Sequence, residues 1–360
     1  MKLLFALPGF HRFDRGAEVA LLSVATELAR GGDAVTVMGS GEPREGLPYT
    51  YRRVGAVRRE RFEAFPFFPP LRSETAWEDA SFVPGLLAAY RPGDFDAVIT
   101  CSFPFTHWAL GRPASKRPLR LFVTQNGDWP AYATNSEYRS FRCDGLVCTN
   151  PDYVERNRSK WPSALIPNGV DLERFHTGEA ERARFGLPLD RPIVLMVSAH
   201  IATKRVLDGI RAVAQLEDAH LVVAGDGPLR DEAAALAAEI LPGRYQRVSL
   251  PATEMPALYR SADIFLHLSL LESFGNVFLE AWASGLPVVG HDSERLRWIL
   301  GENSAYLCNT EQSEALVETI RRALAQGRRT EGVASGIERF GWPTIAAQYR
   351  EFISALLARR

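Results

Sequence analysis

Short apolar runs alternate with longer amphipathic stretches along the chain, and the alternation occurs in two series. The first series has apolar runs at Leu3 to Leu7, Ala34 to Met38, Ala97 to Thr100, Leu119 to Thr124, Gly145 to Cys148 and Ala164 to Ile166. The second has them at Ile193 to Val197, His220 to Ala224, Ile264 to Leu268, Pro287 to Val289 and Ala305 to Leu307. Runs of this kind separated by helical periodicity predict parallel sheets joined by crossover helices. The helices fall near Glu18 to Arg30, Val206 to Leu216, Leu229 to Leu241, Asn276 to Ser284 and Glu311 to Ala325, with Gly31-Gly32 as a C-cap for the first. The expected fold class is α/β with two Rossmann-like domains.

A length of 360 residues also favours two domains. Pro167-Asn168-Gly169-Val170-Asp171, followed by a polar stretch to Pro192, marks the boundary. The expected division is 1–168, 169–340 and a terminal segment 341–360, in which Trp342 to Leu357 reads as an amphipathic helix. The strand C-termini of both sheets are expected to face a common cleft, where open α/β sheets bind ligands.

Composition narrows the function. A formal net charge of -1 excludes an electrostatic case for nucleic acid. The four cysteines form no Cys-x-x-Cys pair and no zinc-type spacing with histidine, so neither a disulfide framework nor a metal site is expected. The apolar start Leu3 to Leu7 stops at Pro8-Gly9, too early for a signal peptide, and no apolar run approaches the ~20 residues of a membrane span. A cytoplasmic protein is expected, with membrane contact only peripheral, at the inner face, and no required protein partner.

The informative stretch is Ser269-Leu270-Leu271-Glu272-Ser273-Phe274-Gly275-Asn276-Val277-Phe278-Leu279-Glu280-Ala281. It places two glutamates across a strand end, a glycine turn and a helix start. A helix start offers backbone N–H groups to an anionic diphosphate, and Gly275 permits close approach. Phe274, Gly275, Asn276 and Val277 are therefore candidate donor-binding residues. Glu280, one turn into the helix, can accept hydrogen bonds from a ribose diol. Glu272, ahead of the turn, can bind a sugar hydroxyl and stabilise positive charge at the anomeric carbon. As an isolated pattern, the pair reads more simply as an exposed helix residue, Glu280, and a helix-cap anion, Glu272.

The run Glu272-Ser273-Phe274-Gly275-Asn276-Val277-Phe278-Leu279-Glu280-Ala281-Trp282-Ala283-Ser284-Gly285-Leu286-Pro287-Val288-Val289 closely resembles the donor-site signature of family 4 glycosyltransferases. Ile166 to Asp171 resembles the family's interdomain segment, Val223 to Leu229 its strand-to-helix turn, and Gly16-Ala17-Glu18 the glycine loop that approaches donor phosphates. The resemblance implies a GT-B fold, an N-terminal acceptor domain, a C-terminal donor domain, and retention of anomeric configuration. It also implies a nucleotide diphosphate sugar as co-substrate, with no cofactor or metal, and a C-terminal helix that crosses back to the first domain. Glu272 and Lys204 are then the catalytic candidates, and Lys204 the phosphate-binding lysine. The alternatives are a catalytically silent nucleotide-sugar sensor and a GT-B epimerase.

Three positions depart from the family pattern. Ala199 stands where an arginine is common, with Arg205, where glycine is usual, as a substitute source of charge. Arg15 replaces a second glycine before Gly16. At the strand end where relatives carry a sugar-contacting histidine, this chain has Thr124-Gln125-Asn126-Gly127-Asp128, with Gln125 nearest that position. Asn126 and Asp128 read either as acceptor ligands or as an Asn-Gly turn. His11, beside the Gly16 loop, and His107, after a strand end, complete the acceptor-side candidates. Asp94-Phe95-Asp96 reads as a strand entry rather than a metal motif. Arg52 to Arg72, with six arginines and the rings Phe62, Phe65, Phe67 and Phe68, reads either as an acceptor or membrane loop or as packing on the first domain.

Overall fold

The computed structural model describes residues 1–270, 272–332 and 336–360; Leu271, within the glutamate stretch, lies outside the described residues. The chain divides into two compact units, Met1–Gly169 together with Trp342–Arg360, and Val170–Gly341.

In the first unit, β1 (Lys2–Ala6), β2 (Ala34–Gly39), β3 (Thr50–Arg53), β4 (Ala97–Thr100), β5 (Leu119–Val123), β6 (Gly145–Cys148) and β7 (Ser163–Leu165) form one sheet. Its order is β3-β2-β1-β4-β5-β6-β7, and every pairing is parallel. The helices are α1 (Gly16–Arg30), α2 (Glu74–Ala89), α3 (Phe105–Leu110), α4 (Trp129–Tyr132) and α5 (Pro151–Asn157). Leu3 and Phe5 join one buried cluster with α1, while Leu4 and Ala6 join another with Phe82 and Leu86 of α2. Burial on both faces is why these strands read as continuous apolar runs rather than alternating ones.

The second unit contains β8 (Ile193–Val197), β9 (His220–Ala224), β10 (Tyr245–Val248), β11 (Ile264–His267), β12 (Val288–His291) and β13 (Leu307–Cys308). They pair in parallel in the order β10-β9-β8-β11-β12-β13. Helices α6 (Val206–Ala214), α7 (Arg230–Ile240), α8 (Met255–Arg260), α9 (Asn276–Ala283), α10 (Glu294–Leu300) and α11 (Ser313–Gln326) accompany it. The strand order reverses between β1 and β4 in one sheet and between β8 and β11 in the other, the switch points at which such sheets take ligands.

The last helix, α12 (Trp342–Ala358), belongs to the first unit and packs on α1. Its Arg350 donates to the Leu28 and Gly31 carbonyls at 3.3 and 2.9 Å and pairs with Asp33, placing a cation on the C-terminal carbonyls of α1. Asp96 accepts from the Lys2 backbone at 2.8 Å and from Lys116 at 3.3 Å, so it braces the entry to β4. Among the described residues, no helix is long and apolar enough to cross a membrane.

Candidate active site

The second switch point gathers the chemistry. His267 ends β11, and its ring lies 6.1 Å from Phe265 and edge-on to Phe278 at 5.0 Å. Its Nδ1 is 3.2 Å from the Ser198 hydroxyl, just past β8, and its Nε2 is 2.9 Å from Glu272 Oε1. Lys204, from the turn after β8, donates to the same oxygen. Burial alone would raise the Glu272 carboxyl, but hydrogen bonds and electrostatic attraction from His267, and then from Lys204, outweigh it and bring the pKa to about 2. Glu272 is thus an ionised carboxylate at any physiological pH. Arg295 of α10 donates to its backbone carbonyl and pins the loop. Among the described residues, both hydrogen bonds on this carboxylate fall on Oε1, leaving Oε2 to a ligand.

The turn that follows needs glycine. Gly275 has φ 88, and an added Cβ would lie 2.6 Å from the Phe278 ring. It caps α9, which begins at Asn276, so the first turn of that helix opens four residues after Glu272. Phe274 is buried in the core, its ring 6.3 Å from both Trp298 and Phe340, so only its backbone is available to a ligand. Val277 packs partly against the same core.

Glu280 occupies a different environment. Burial raises its carboxyl pKa, opposed in part by a 2.8 Å hydrogen bond from Tyr259 and by attraction to Arg174. The two glutamates therefore differ in charge preference: one is held ionised by cationic and N–H partners, the other is biased toward its proton by its surroundings.

Arg205 has φ 54, the left-handed backbone that favours glycine at this position. Its guanidinium reaches Asp208 at 2.8 Å, the Thr310 hydroxyl at 3.0 Å and the Thr310 carbonyl at 3.1 Å, so in this structure it braces the fold beneath the loop. Ala199, at the position of the common arginine, is exposed.

In the first unit Gly16 opens α1, and Arg15 lies over the Phe13 ring, 3.8 Å from its centroid. Gln125 and Asn168 exchange two amide hydrogen bonds at 2.6 and 3.0 Å, both residues being buried. Asp128 is buried and pairs with Arg156 at 3.0 Å and Asn157 at 2.8 Å, whereas Asn126 is exposed, its carbonyl taking the Trp129 indole N–H. His11 stacks on Tyr51 at 3.8 Å and meets the Tyr49 hydroxyl at 2.8 Å. His107 is 1% exposed, its Nε2 2.8 Å from the Arg142 carbonyl, and burial drives its pKa down to about 3. Both histidines are therefore built into the packing of the unit. Phe62 is buried against Trp77, while Phe65, Phe67 and Phe68 stay exposed.

Sequence reasoning missed His267, Ser198, Tyr259 and Arg295. The available signal was a histidine closing an otherwise apolar strand five residues before Glu272.

Two parallel-sheet α/β units with these strand orders make the GT-B fold. Sucrose-phosphate synthase from Thermosynechococcus elongatus matches with a TM-score of 0.79 at 22% identity over 100% of both chains. Anabaena HepE, solved with UDP and glucose, matches at 0.74 and 18% identity over 99% of this chain and 100% of that one. In sequence, residues 15–174 match the model of glycosyltransferase family 4, and residues 178–335 that of glycosyl transferases group 1. The lipopolysaccharide core biosynthesis glycosyltransferase LpsE of Rhizobium meliloti (strain 1021) is 30% identical over 239 residues, 64% of this chain and 67% of that protein. The chain belongs to the family 4 glycosyltransferases, and it is a glycosyltransferase.

Proposed function

We propose that this enzyme transfers a sugar from a nucleotide diphosphate sugar to an acceptor hydroxyl, without a metal ion and with retention of anomeric configuration. The observation that carries the reading is Glu272, held ionised with Oε2 open in the loop between β11 and the α9 N-terminus. The helix start and Lys204 bind the diphosphate, and Glu280 binds the ribose. Glu272 faces the sugar, where fixed negative charge stabilises the positive charge that develops at the anomeric carbon. The leaving diphosphate takes the proton of the attacking hydroxyl on the same face, so the reaction calls on no protein base. Lys204 then exchanges its bond with Glu272 for one with phosphate.

The first unit serves the acceptor, a hydroxyl of a glycan, a lipid-linked sugar or a small molecule, with the exposed Asn126 as the strand-end candidate, since Gln125 and Asp128 are buried and held by Asn168, Arg156 and Asn157. The bound UDP and glucose of HepE support the donor class. The reading assigns the protein to the cytoplasm, with membrane contact only peripheral.

A thermal-shift panel of UDP, GDP, ADP, dTDP and their sugars tests it, since a ligand at 100 times its dissociation constant stabilises by about 2.7 kcal/mol. Donor alone should then be hydrolysed slowly to free sugar; binding without any turnover would instead indicate a sensor. Turnover should survive a chelator. Loss that magnesium or manganese restores would contradict the metal-free assignment.

A further inference from the structure

Glu272 cannot rely on Lys204 alone for its orientation if that lysine is to serve a phosphate. The second partner, His267, is better placed to hold it. Its side chain is 2% exposed, its ring is confined by Phe265 and Phe278, and its backbone is fixed by pairing with Gly290 in β12. Nε2 sits 2.9 Å from a carboxylate oxygen, which can only accept, so the hydrogen must be on Nε2. Nδ1 then faces the Ser198 hydroxyl 3.2 Å away, which can donate to a neutral ring or accept from a charged one. The chain Ser198 to His267 to Glu272 thus spans the switch point, from the end of β8 to the loop after β11.

We propose that His267 is the positioning residue of Glu272: its buried ring, steadied by Ser198 at Nδ1, donates the Nε2 hydrogen to Oε1 so that Oε2 remains available to the donor sugar when Lys204 turns to phosphate. The catalytic part of this rests on the reading of Glu272 given above; the hydrogen on Nε2 and its cause do not. A positioning group of this kind acts on turnover more than on nucleotide binding, because the diphosphate and ribose contacts lie elsewhere. A histidine placed only for packing would show no rescue by an isosteric donor.

Two measurements test it on the full chain. Long-range proton–nitrogen correlation spectra of histidine-labelled protein should show His267 protonated at Nε2, with the signal assigned by its loss in His267→Leu. Ser198→Ala, a small change that leaves the packing intact, should keep that hydrogen on Nε2, where the carboxylate accepts it, and shift the Nδ1 resonance that faces the lost hydroxyl. A ring with no hydrogen on Nε2, or a Ser198→Ala spectrum identical to wild type, would overturn the proposal whatever the enzyme's substrate.

In kinetics, His267→Leu should slow hydrolysis of the donor sugar identified by the panel by about 10- to 150-fold, the rate equivalent of one charge-assisted hydrogen bond. Affinity for the bare nucleoside diphosphate should move less than about threefold. His267→Gln, whose amide N–H can reach toward Oε1, should recover part of the rate. Equal losses in both variants would reduce His267 to packing. Should the spectra agree while Glu272→Gln keeps full turnover, the role assigned to Glu272 fails and the positioning geometry stands.

Discussion

The Tyr259 hydroxyl donates to Glu280 Oε2 at 2.8 Å, linking α8 to the helix that begins the donor-site turn. Tyr259 is fully buried, so no water replaces it there, and burial holds the Glu280 carboxyl above the ordinary range against that bond. Removing the hydroxyl should let the carboxyl pKa rise further. Tyr259→Phe should therefore weaken nucleoside diphosphate binding more at pH 5.5 than at pH 8, because the ionised acceptor is lost first at low pH. Calorimetric titration of wild type and variant at both values checks this, and a loss independent of pH would contradict it.

Glu272 is shifted with the opposite sign, and its effect is on stability at a lower pH. Its folded-state pKa, about 2, lies below the ordinary value of 4.5, so its contribution to stability is complete above pH 4.5 and is lost as pH falls toward 2. The shift corresponds to on the order of 3 kcal/mol. Acid unfolding of wild type and Glu272→Gln should converge over that window. Parallel curves would mean that His267 and Lys204 do not depress this group.

Arg205 combines a backbone that favours glycine with a side chain that braces three partners. Arg205→Ala keeps the left-handed strain and loses the bonds, whereas Arg205→Gly loses the bonds but relieves roughly 1 kcal/mol of strain. Denaturant midpoints should rank wild type above Gly and Gly above Ala. This inverts the usual order of alanine and glycine, and an Ala variant more stable than Gly would exclude the strained backbone.

The exposed rings Phe67 and Phe68 are 51% and 47% accessible, while Phe62 of the same segment is buried. Replacing Phe67 and Phe68 by Ser should change stability by no more than about 0.5 kcal/mol and leave nucleotide affinity intact. Acceptor use should fall. A large loss of stability would assign these rings to packing instead.

Much of the fold was legible because buried parallel strands advertise themselves as apolar runs. The exceptions have a physical cause: β3 and β10 are the end strands of their sheets, and Thr50-Tyr51-Arg52-Arg53 and Tyr245-Gln246-Arg247-Val248 carry the polar residues that an edge tolerates. In the candidate site, Glu272, Gly275 and Glu280 were readable because a strand end, a turn and a helix start follow one another in sequence. His267, Ser198 and Tyr259 were not, since their partners are set by strand order and helix packing rather than by spacing. Gln125 and Asp128 show the converse: they were found by position along the strand, but their partners Asn168, Arg156 and Asn157 lie far off in the chain.

The central claim is that the two glutamates of one motif do different work, and one paired experiment measures it: calorimetric affinity for the bare nucleoside diphosphate alongside turnover at saturating donor. Glu280→Ala should lose roughly 10- to 150-fold in affinity, the equivalent of charge-assisted hydrogen bonds to the ribose. Glu272→Gln should lose on the order of 100-fold or more in turnover with little change in affinity. The account is contradicted if Glu272→Gln abolishes nucleotide binding while Glu280→Ala leaves it unchanged.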